Sequence, residues 1–183
     1  MKIFITGGTG LIGSALIPKL LDRGDEVSIL TRSADKVERL YGYNVKAYTS
    51  LDDLDSLDGY DAVLNLAGES IAGKRWTTHH KEILCNSRWD ITRRLTELIK
   101  LSVSPPTVFI SGSAVGYYGA QDDKALNESS DANEDFTHQL CKKWESLAIA
   151  AQTSQTRVCI VRTGIVLSDR AGMLSLLILP FRL

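Results

Sequence analysis

The apolar run Lys2-Ile3-Phe4-Ile5-Thr6 leads without a spacer into Gly7-Gly8-Thr9-Gly10-Leu11-Ile12-Gly13, after which apolar residues recur at helical spacing. Few architectures let a chain leave a buried strand through so many glycines and enter a helix at once. Gly8, Gly10 and Gly13 satisfy the spacing G-x-G-x-x-G, and Thr6, Gly7, Gly10 and Gly13 satisfy the wider T-G-x-x-G-x-x-G. In either spacing one glycine permits the tight turn, one lets the backbone approach a pyrophosphate, and one lets the helix pack closely on the sheet. The unpaired N–H groups and positive dipole end of that helix then face an anion. Gly7, Gly8, Thr9, Gly10, Leu11, Ile12 and Gly13 are therefore expected to cradle a dinucleotide phosphate.

Apolar runs alternate with helix-period segments along the rest of the chain, the pattern of β-α-β units. Strands are expected at 2–6, 26–31, 45–48, 61–68, 107–111 and 157–163, with helices at 11–23, 36–40, 77–101 and 136–151. Ile12, Ala15, Leu16 and Leu20 form the expected inward stripe of the first helix, which Pro18 should kink and Gly24 should end. Asp52, Asp53, Asp55 and Asp58 read as a solvated acidic loop whose Leu51, Leu54 and Leu57 pack inward. The expected fold is α/β: one Rossmann-like, doubly wound parallel sheet with helices on both faces, in a single domain of 183 residues. Residues 121–133 and the last dozen positions carry no periodic pattern and are expected to be soft.

A net charge of -1 with scattered acids and bases provides no basic stripe for nucleic acid and no polybasic membrane patch. A small-molecule partner is expected, and a homo-oligomer stays open. Cys85, Cys141 and Cys159 are odd in number and far apart, so neither a disulfide framework nor a zinc site is expected. No signal segment or apolar run of spanning length is present, which makes the cytoplasm the expected compartment.

In order, these segments resemble the extended and atypical short-chain dehydrogenase/reductase superfamily. The stretch from Asn65-Leu66-Ala67-Gly68-Glu69-Ser70 to Lys74-Arg75-Trp76, the stretch Ser111-Gly112-Ser113-Ala114-Val115-Gly116-Tyr117-Tyr118-Gly119, and Arg162-Thr163-Gly164 are similar to an atypical epimerase-like family. Its members are called nucleoside-diphosphate-sugar epimerase-like, and some carry a cell-division-inhibitor label. The resemblance implies a serine that holds the substrate oxygen, at Ser113, and a tyrosine and lysine four residues apart on one helix. There the lysine charge favours the phenolate that exchanges the proton.

That pair is missing, because no tyrosine in the chain has a lysine four residues on. Aligned on Glu145, the expected helix places Thr137 and Cys141 at the two positions; aligned on a lysine, it places His138 and Lys142 there. His138 can act as an acid or base near neutral pH. Tyr117 and Tyr118, close after Ser113, are the other candidate proton donors, and their alternative role is to pack the loop. Ser113 itself has an alternative role as a turn or cap hydroxyl. Trp89 and Trp144 read as packing residues, and Cys159 as a strand residue with no flanking base.

The second strand ends Thr31-Arg32-Ser33 without an acid. An acid there would hold a ribose 2′-hydroxyl, whereas Arg32, with hydroxyl donors from Thr31 and Ser33, suits a 2′-phosphate; NADP(H) is expected over NAD(H). Leu66, Ala67, Gly68 and Glu69, at the end of the fourth strand, should also face this cofactor. Lys74, Arg75 and Trp76 either contact substrate or are simply solvated. Members of the resembled family continue past Pro180-Phe181-Arg182-Leu183 into a substrate-covering lobe, so that lobe is expected to be largely absent here, leaving Leu174, Leu176, Leu177, Ile178 and Leu179 as an exposed apolar tail. Two functions follow: an NADP(H)-dependent oxidoreductase or epimerase-like enzyme, or a regulatory protein that binds the nucleotide without turnover.

Overall fold

The computed structural model describes residues 1–168; the apolar tail expected at 174–179 lies outside them. Six parallel strands form one sheet in the order β3-β2-β1-β4-β5-β6: β1 (Lys2–Thr6), β2 (Glu26–Leu30), β3 (Val45–Tyr48), β4 (Ala62–Asn65), β5 (Val108–Ala114) and β6 (Arg157–Thr163). Four helices connect them: α1 (Leu11–Asp22), α2 (Ala34–Tyr41), α3 (Thr78–Leu101) and α4 (Phe136–Ile149). The chain winds outward from β1 to β3, returns to β4 beside β1, and winds out the other way. The sheet therefore reverses direction between β1 and β4, where the C-terminal strand ends open a crevice. Ile3 pairs with Val27 on one side and Ala62 on the other, so β1 is central.

Strand alternation sorts the apolar residues into two cores. Ile3, Ile5, Val27 and Ile29 meet Ile17 and Leu20 of α1 and Val37 and Tyr41 of α2 on one face. Phe4, Val63 and Phe109 meet Leu95, Leu98 and Ile99 of α3 and Ala148 of α4 on the other. Leu51 and Leu57 are buried in the second core, as their spacing predicts. Burying each such Ile, Leu or Phe side chain stabilises the fold by about 1.5–3 kcal/mol.

The glycines that leave β1 fix how α1 sits. Gly7 has φ +72°, and a Cβ on it would stand 2.5 Å from the Leu66 carbonyl oxygen. A Cβ on Gly13 would stand 2.5 Å from the Gly7 oxygen and 2.6 Å from Gly8 Cα. Because Gly13 must face the turn, the buried stripe of α1 is Gly13, Ile17 and Leu20, with Leu16 partly buried; Ile12 and Ala15, expected inward, are exposed. Pro18 lies on the exposed side, and α1 continues past it to Asp22. The Tyr41 hydroxyl donates to the Gly8 carbonyl at 2.8 Å, tying α2 to the same turn.

Among the strands, β4 and β5 depart most from the sequence expectation. β4 stops at Asn65, because beyond it the chain turns back under Gly7. β5 runs to Ala114, since its pairing with β6 extends through Ser113↔Arg162 and Ala114↔Thr163. The segment 121–133 has no helix or strand but is pinned: Asn133 N–H donates to the Tyr118 carbonyl at 2.9 Å, and the Gln121 amide donates to the carbonyls of Tyr118 and Asp131 at 3.0 Å each. The glycine contacts give a graded expectation. Gly13→Ala, which must push two backbone segments apart, should cost at least about 2 kcal/mol in urea unfolding. Gly10→Ala, whose Cβ would meet only the Gly7 oxygen at 3.1 Å, should cost clearly less.

Candidate active site

The crevice between β1 and β4 is set by a buried polar chain. Thr6 Oγ1 donates to Asn65 Oδ1 at 2.7 Å, and Asn65 Nδ2 donates to Thr92 Oγ1 of α3 at 2.7 Å. Thr6 Oγ1 also accepts from the Ala67 N–H at 3.1 Å. Three elements are thus locked by groups that would cost free energy if left unpaired. The result aims Leu66, Ala67, Gly68 and Glu69 over the sheet edge beside Gly7. On the near side, α1 begins at Gly10 with no capping side chain and no acid in its first turn, leaving Thr9, Leu11 and Ile12 around an uncontested helix N-terminus.

Past β2, Thr31 is buried, and its hydroxyl closes on the backbone of Ser33, donating to the carbonyl and accepting from the N–H, both at 3.1 Å. Ser33 Oγ caps α2 by accepting from the Lys36 N–H. The Thr31 hydroxyl proton is therefore used within the turn, whereas Ser33 Oγ only accepts and keeps its proton for a ligand, and Arg32 stands exposed. Lys36, which the sequence reading passed over, reaches back to the Thr9 carbonyl at 3.4 Å. Two cations consequently flank the glycine turn. Across the crevice, Lys74 pairs with Glu69 at 2.9 Å. That contact, helped by the charges of Arg32 and His80, holds the Glu69 carboxyl below its ordinary value. Trp76 is packed within its own loop, with Nε1 donating to the Ile71 carbonyl at 2.9 Å and its ring edge-on to Phe136.

Ser113 lies at the end of β5, 3% exposed, and donates to Glu145 Oε1 at 2.6 Å. Arg162 of β6 grips the same carboxylate with Nε on Oε1 and Nη2 on Oε2, both at 2.8 Å. Arg162 Nη1 donates to the Tyr118 hydroxyl at 2.9 Å, and the guanidinium lies 3.5 Å from the Tyr117 ring centre. The carboxylate and the Tyr118 hydroxyl together push the Arg162 pKa up. Tyr118 is buried, and Tyr117 packs edge-on between Tyr118 and His138. His138 is buried too, with Nδ1 on the Tyr117 carbonyl; because a carbonyl only accepts, this assigns the proton to Nδ1.

Of the two registers open in the sequence, the one aligned on Glu145 faces the strand. A Cβ on Gly116 would stand 3.1 Å from Thr137 Cβ, and the Cys141 thiol meets the Ser113 hydroxyl, with burial pushing that thiol up. Lys142 is exposed and directed toward Glu134 at 3.9 Å. The sequence reading missed Glu145 and Arg162 as site residues. The signal was present: Glu145 is an acid within the apolar face Cys141, Trp144, Ala148, a position that demands a buried cation. Cys159 is a half-buried free thiol in β6, Trp89 donates to the Leu140 carbonyl at 3.1 Å, and Trp144 packs under Gly112.

Ser113 has one proton, and it is committed to Glu145, so toward a ligand this hydroxyl is an acceptor. The helix carrying Glu145 starts at Asp135, whose carboxylate accepts from the His138 N–H at 2.8 Å and from Thr137 Oγ1 at 2.7 Å. The backbone bond from His138 is the larger cause holding the Asp135 carboxyl below its ordinary 3.8. A carboxylate depressed by folding contributes stability that is fully present above that value and is lost as pH falls through the lower folded value. Asp135→Ala should therefore destabilise the protein by about 1 kcal/mol at pH 7 in urea unfolding, and the gap to the parent should close on acidification below 3.8.

Comparison with known proteins places this geometry. The chloroplastic SDR39U1 homolog of Arabidopsis thaliana, an epimerase family protein, is 33% identical over 187 residues, covering 99% of this chain and 53% of the relative. Mouse SDR39U1 is 37% identical, covering 100% of this chain and 60% of the relative. The crystal structure of human SDR39U1 (isoform 2) with NADPH matches at TM-score 0.86 and 32% identity, over 100% of this chain and 60% of that one. A UDP-galactose 4-epimerase structure, at 21% identity and TM-score 0.76, shares the fold. The chain thus spans about half to three fifths of the length of these relatives. The model of the NAD-dependent epimerase/dehydratase family matches residues 3–180, and the chain belongs to that family.

Proposed function

We propose that this chain is the cofactor-binding part of an NADP(H)-dependent oxidoreductase or epimerase-like enzyme. The supporting observation is the glycine contact set. Turn and helix meet where a Cβ on Gly7 or Gly13 would strike backbone at 2.5 Å, which leaves α1 N–H groups bare beside the crevice. This fits a pyrophosphate. Arg32 and Lys36 flank the turn on the β2 side, with no acid at the end of that strand to repel a 2′-phosphate. The NADPH bound to the human relative agrees with that preference.

The cofactor supplies hydride transfer. Ser113 accepts the hydrogen bond of a substrate hydroxyl, and as that proton moves to Ser113 Oγ, the serine proton passes to Glu145 Oε1 along the existing 2.6 Å bond. Glu145 thereby takes the part of the absent tyrosine, and Arg162 holds it in place. Glu145 acts through Ser113 and is a positioning and proton-holding residue. Tyr117, Tyr118 and His138 shape the wall around this pair. A regulatory protein that binds NADP(H) without turnover is the competing function. It is favoured by the closure of Arg162 on Tyr118, which buries that phenol against a guanidinium.

Titration of NADPH and NADH against tryptophan emission should show a preference for NADPH that falls about tenfold in Arg32→Ala. Equal affinities in the parent chain would remove the 2′-phosphate argument. Substrate-dependent NADPH oxidation that disappears in Ser113→Ala and is reduced in Glu145→Gln, with NADPH affinity unchanged in both, supports the enzyme; tight binding without turnover across carbonyl and sugar-nucleotide substrates supports the regulatory function.

A further inference from the structure

Arg88 is a cation that the sequence reading left unassigned. It lies in α3, half-buried, with Nη1 donating to the Leu84 carbonyl and Nη2 to the Glu69 carbonyl, both at 2.9 Å. Its guanidinium carbon stands 5.3 Å from the Trp144 ring centre, and a Cβ on Gly68 would be 2.8 Å from it, so the turn after β4 rests directly on the charge. These partners, with the Ser87 hydroxyl at 3.4 Å from Nη1, are neutral oxygens. Among the described residues no carboxylate lies within ion-pair distance of Arg88, since Glu69 is taken by Lys74 and Glu145 by Arg162. A guanidinium does not shed its proton inside a protein, so Arg88 keeps its positive charge at this corner of the crevice, with the Glu69 carboxylate acting on it only from beyond ion-pair distance.

Position gives that charge a consequence. In a sheet of this strand order a dinucleotide lays its two halves on either side of the reversal point. Arg32 and Lys36 hold the adenylate side, past β2, which leaves the nicotinamide for the side of β4 and β5, where Arg88 supports Gly68 and Glu69. The oxidised ring carries a positive charge and the reduced ring carries none. We propose that Arg88 makes this site discriminate between redox states of the bound nicotinamide, holding the reduced ring in preference to the oxidised one. This rests on the NADP(H)-binding reading above. The ammonium that the missing tyrosine-lysine pair would have supplied is absent, and the fixed charge instead approaches from α3, beneath the turn.

The test is the ratio of dissociation constants for NADP+ and NADPH, measured calorimetrically on the whole chain and on Arg88→Gln and Arg88→Lys. The parent should bind NADPH at least about fivefold more tightly than NADP+. Arg88→Gln should lose most of that ratio and Arg88→Lys should retain it. If Arg88 only clamps the turn, both forms weaken together and the ratio is unchanged in Arg88→Gln, which overturns the proposal. A parent ratio near one overturns it without any variant, so failure of Arg88→Gln to fold leaves the test intact. Absence of binding by either redox form would strike the NADP(H) reading itself, a result distinct from binding without discrimination.

Discussion

Between the turn that leaves β1 and the first turn of α1 there is room for backbone alone. Gly13 lies over Gly7 and Gly8, and Gly7 in turn lies against the Leu66 carbonyl. This one set of contacts joins β1, α1 and the end of β4. It sets the phase of α1, because the residue that must face the turn decides which of its neighbours reach the sheet, and it brings the β4 turn to the lip of the crevice. The Tyr41 hydroxyl on the Gly8 carbonyl and the Thr6-Asn65-Thr92 chain stiffen the same junction from the two faces of the sheet. A binding site built from backbone needs such over-determination, since no side chain is available to correct a misplaced N–H.

Much of this was legible in the sequence for a physical reason. Glycine spacing encodes a close approach directly, and alternation of Ile3, Phe4 and Ile5 encodes two buried faces. The phase of α1 was not legible from hydrophobicity: Ile12 and Ala15 are as apolar as the residues that are buried, and the steric demand of Gly13 decides between them. Thr31 and Ser33 look like ligand donors because hydroxyls flank an arginine; the Thr31 proton goes instead to the Ser33 carbonyl, a local hydrogen bond, whereas Ser33 only accepts from the Lys36 N–H and keeps its donor. Glu145 and Arg162 sit 17 residues apart on different elements, so only the packing of α4 against the paired β5 and β6 brings them together. Their legible trace was the cost of burying each alone.

The two half-buried cations behave oppositely. Arg162 is neutralised and well bonded: both Glu145 oxygens, the Tyr118 hydroxyl and the Glu128 carbonyl accept four of its N–H groups. A pair of this kind roughly offsets its own desolvation and contributes mainly orientation. Arg88 is bonded to neutral oxygens, the Leu84 and Glu69 carbonyls and the Ser87 hydroxyl, and no carboxylate among the described residues pairs with it directly; burial draws its pKa down. A protein tolerates an unpaired half-buried cation where something else draws on it, and the turn of Gly68 and Glu69 lies directly on top.

These two features set limits on the chemistry at Ser113. With its proton on Glu145, the serine accepts from a hydroxyl, which suits removal of hydride from an alcohol. Under the proposed relay, reduction of a carbonyl is the reverse: Glu145 returns its proton to Ser113 Oγ as the serine proton passes to the substrate oxygen, so one serine would serve both directions. Arg162, bonded to both carboxylate oxygens, fixes Glu145 against Ser113 for either direction.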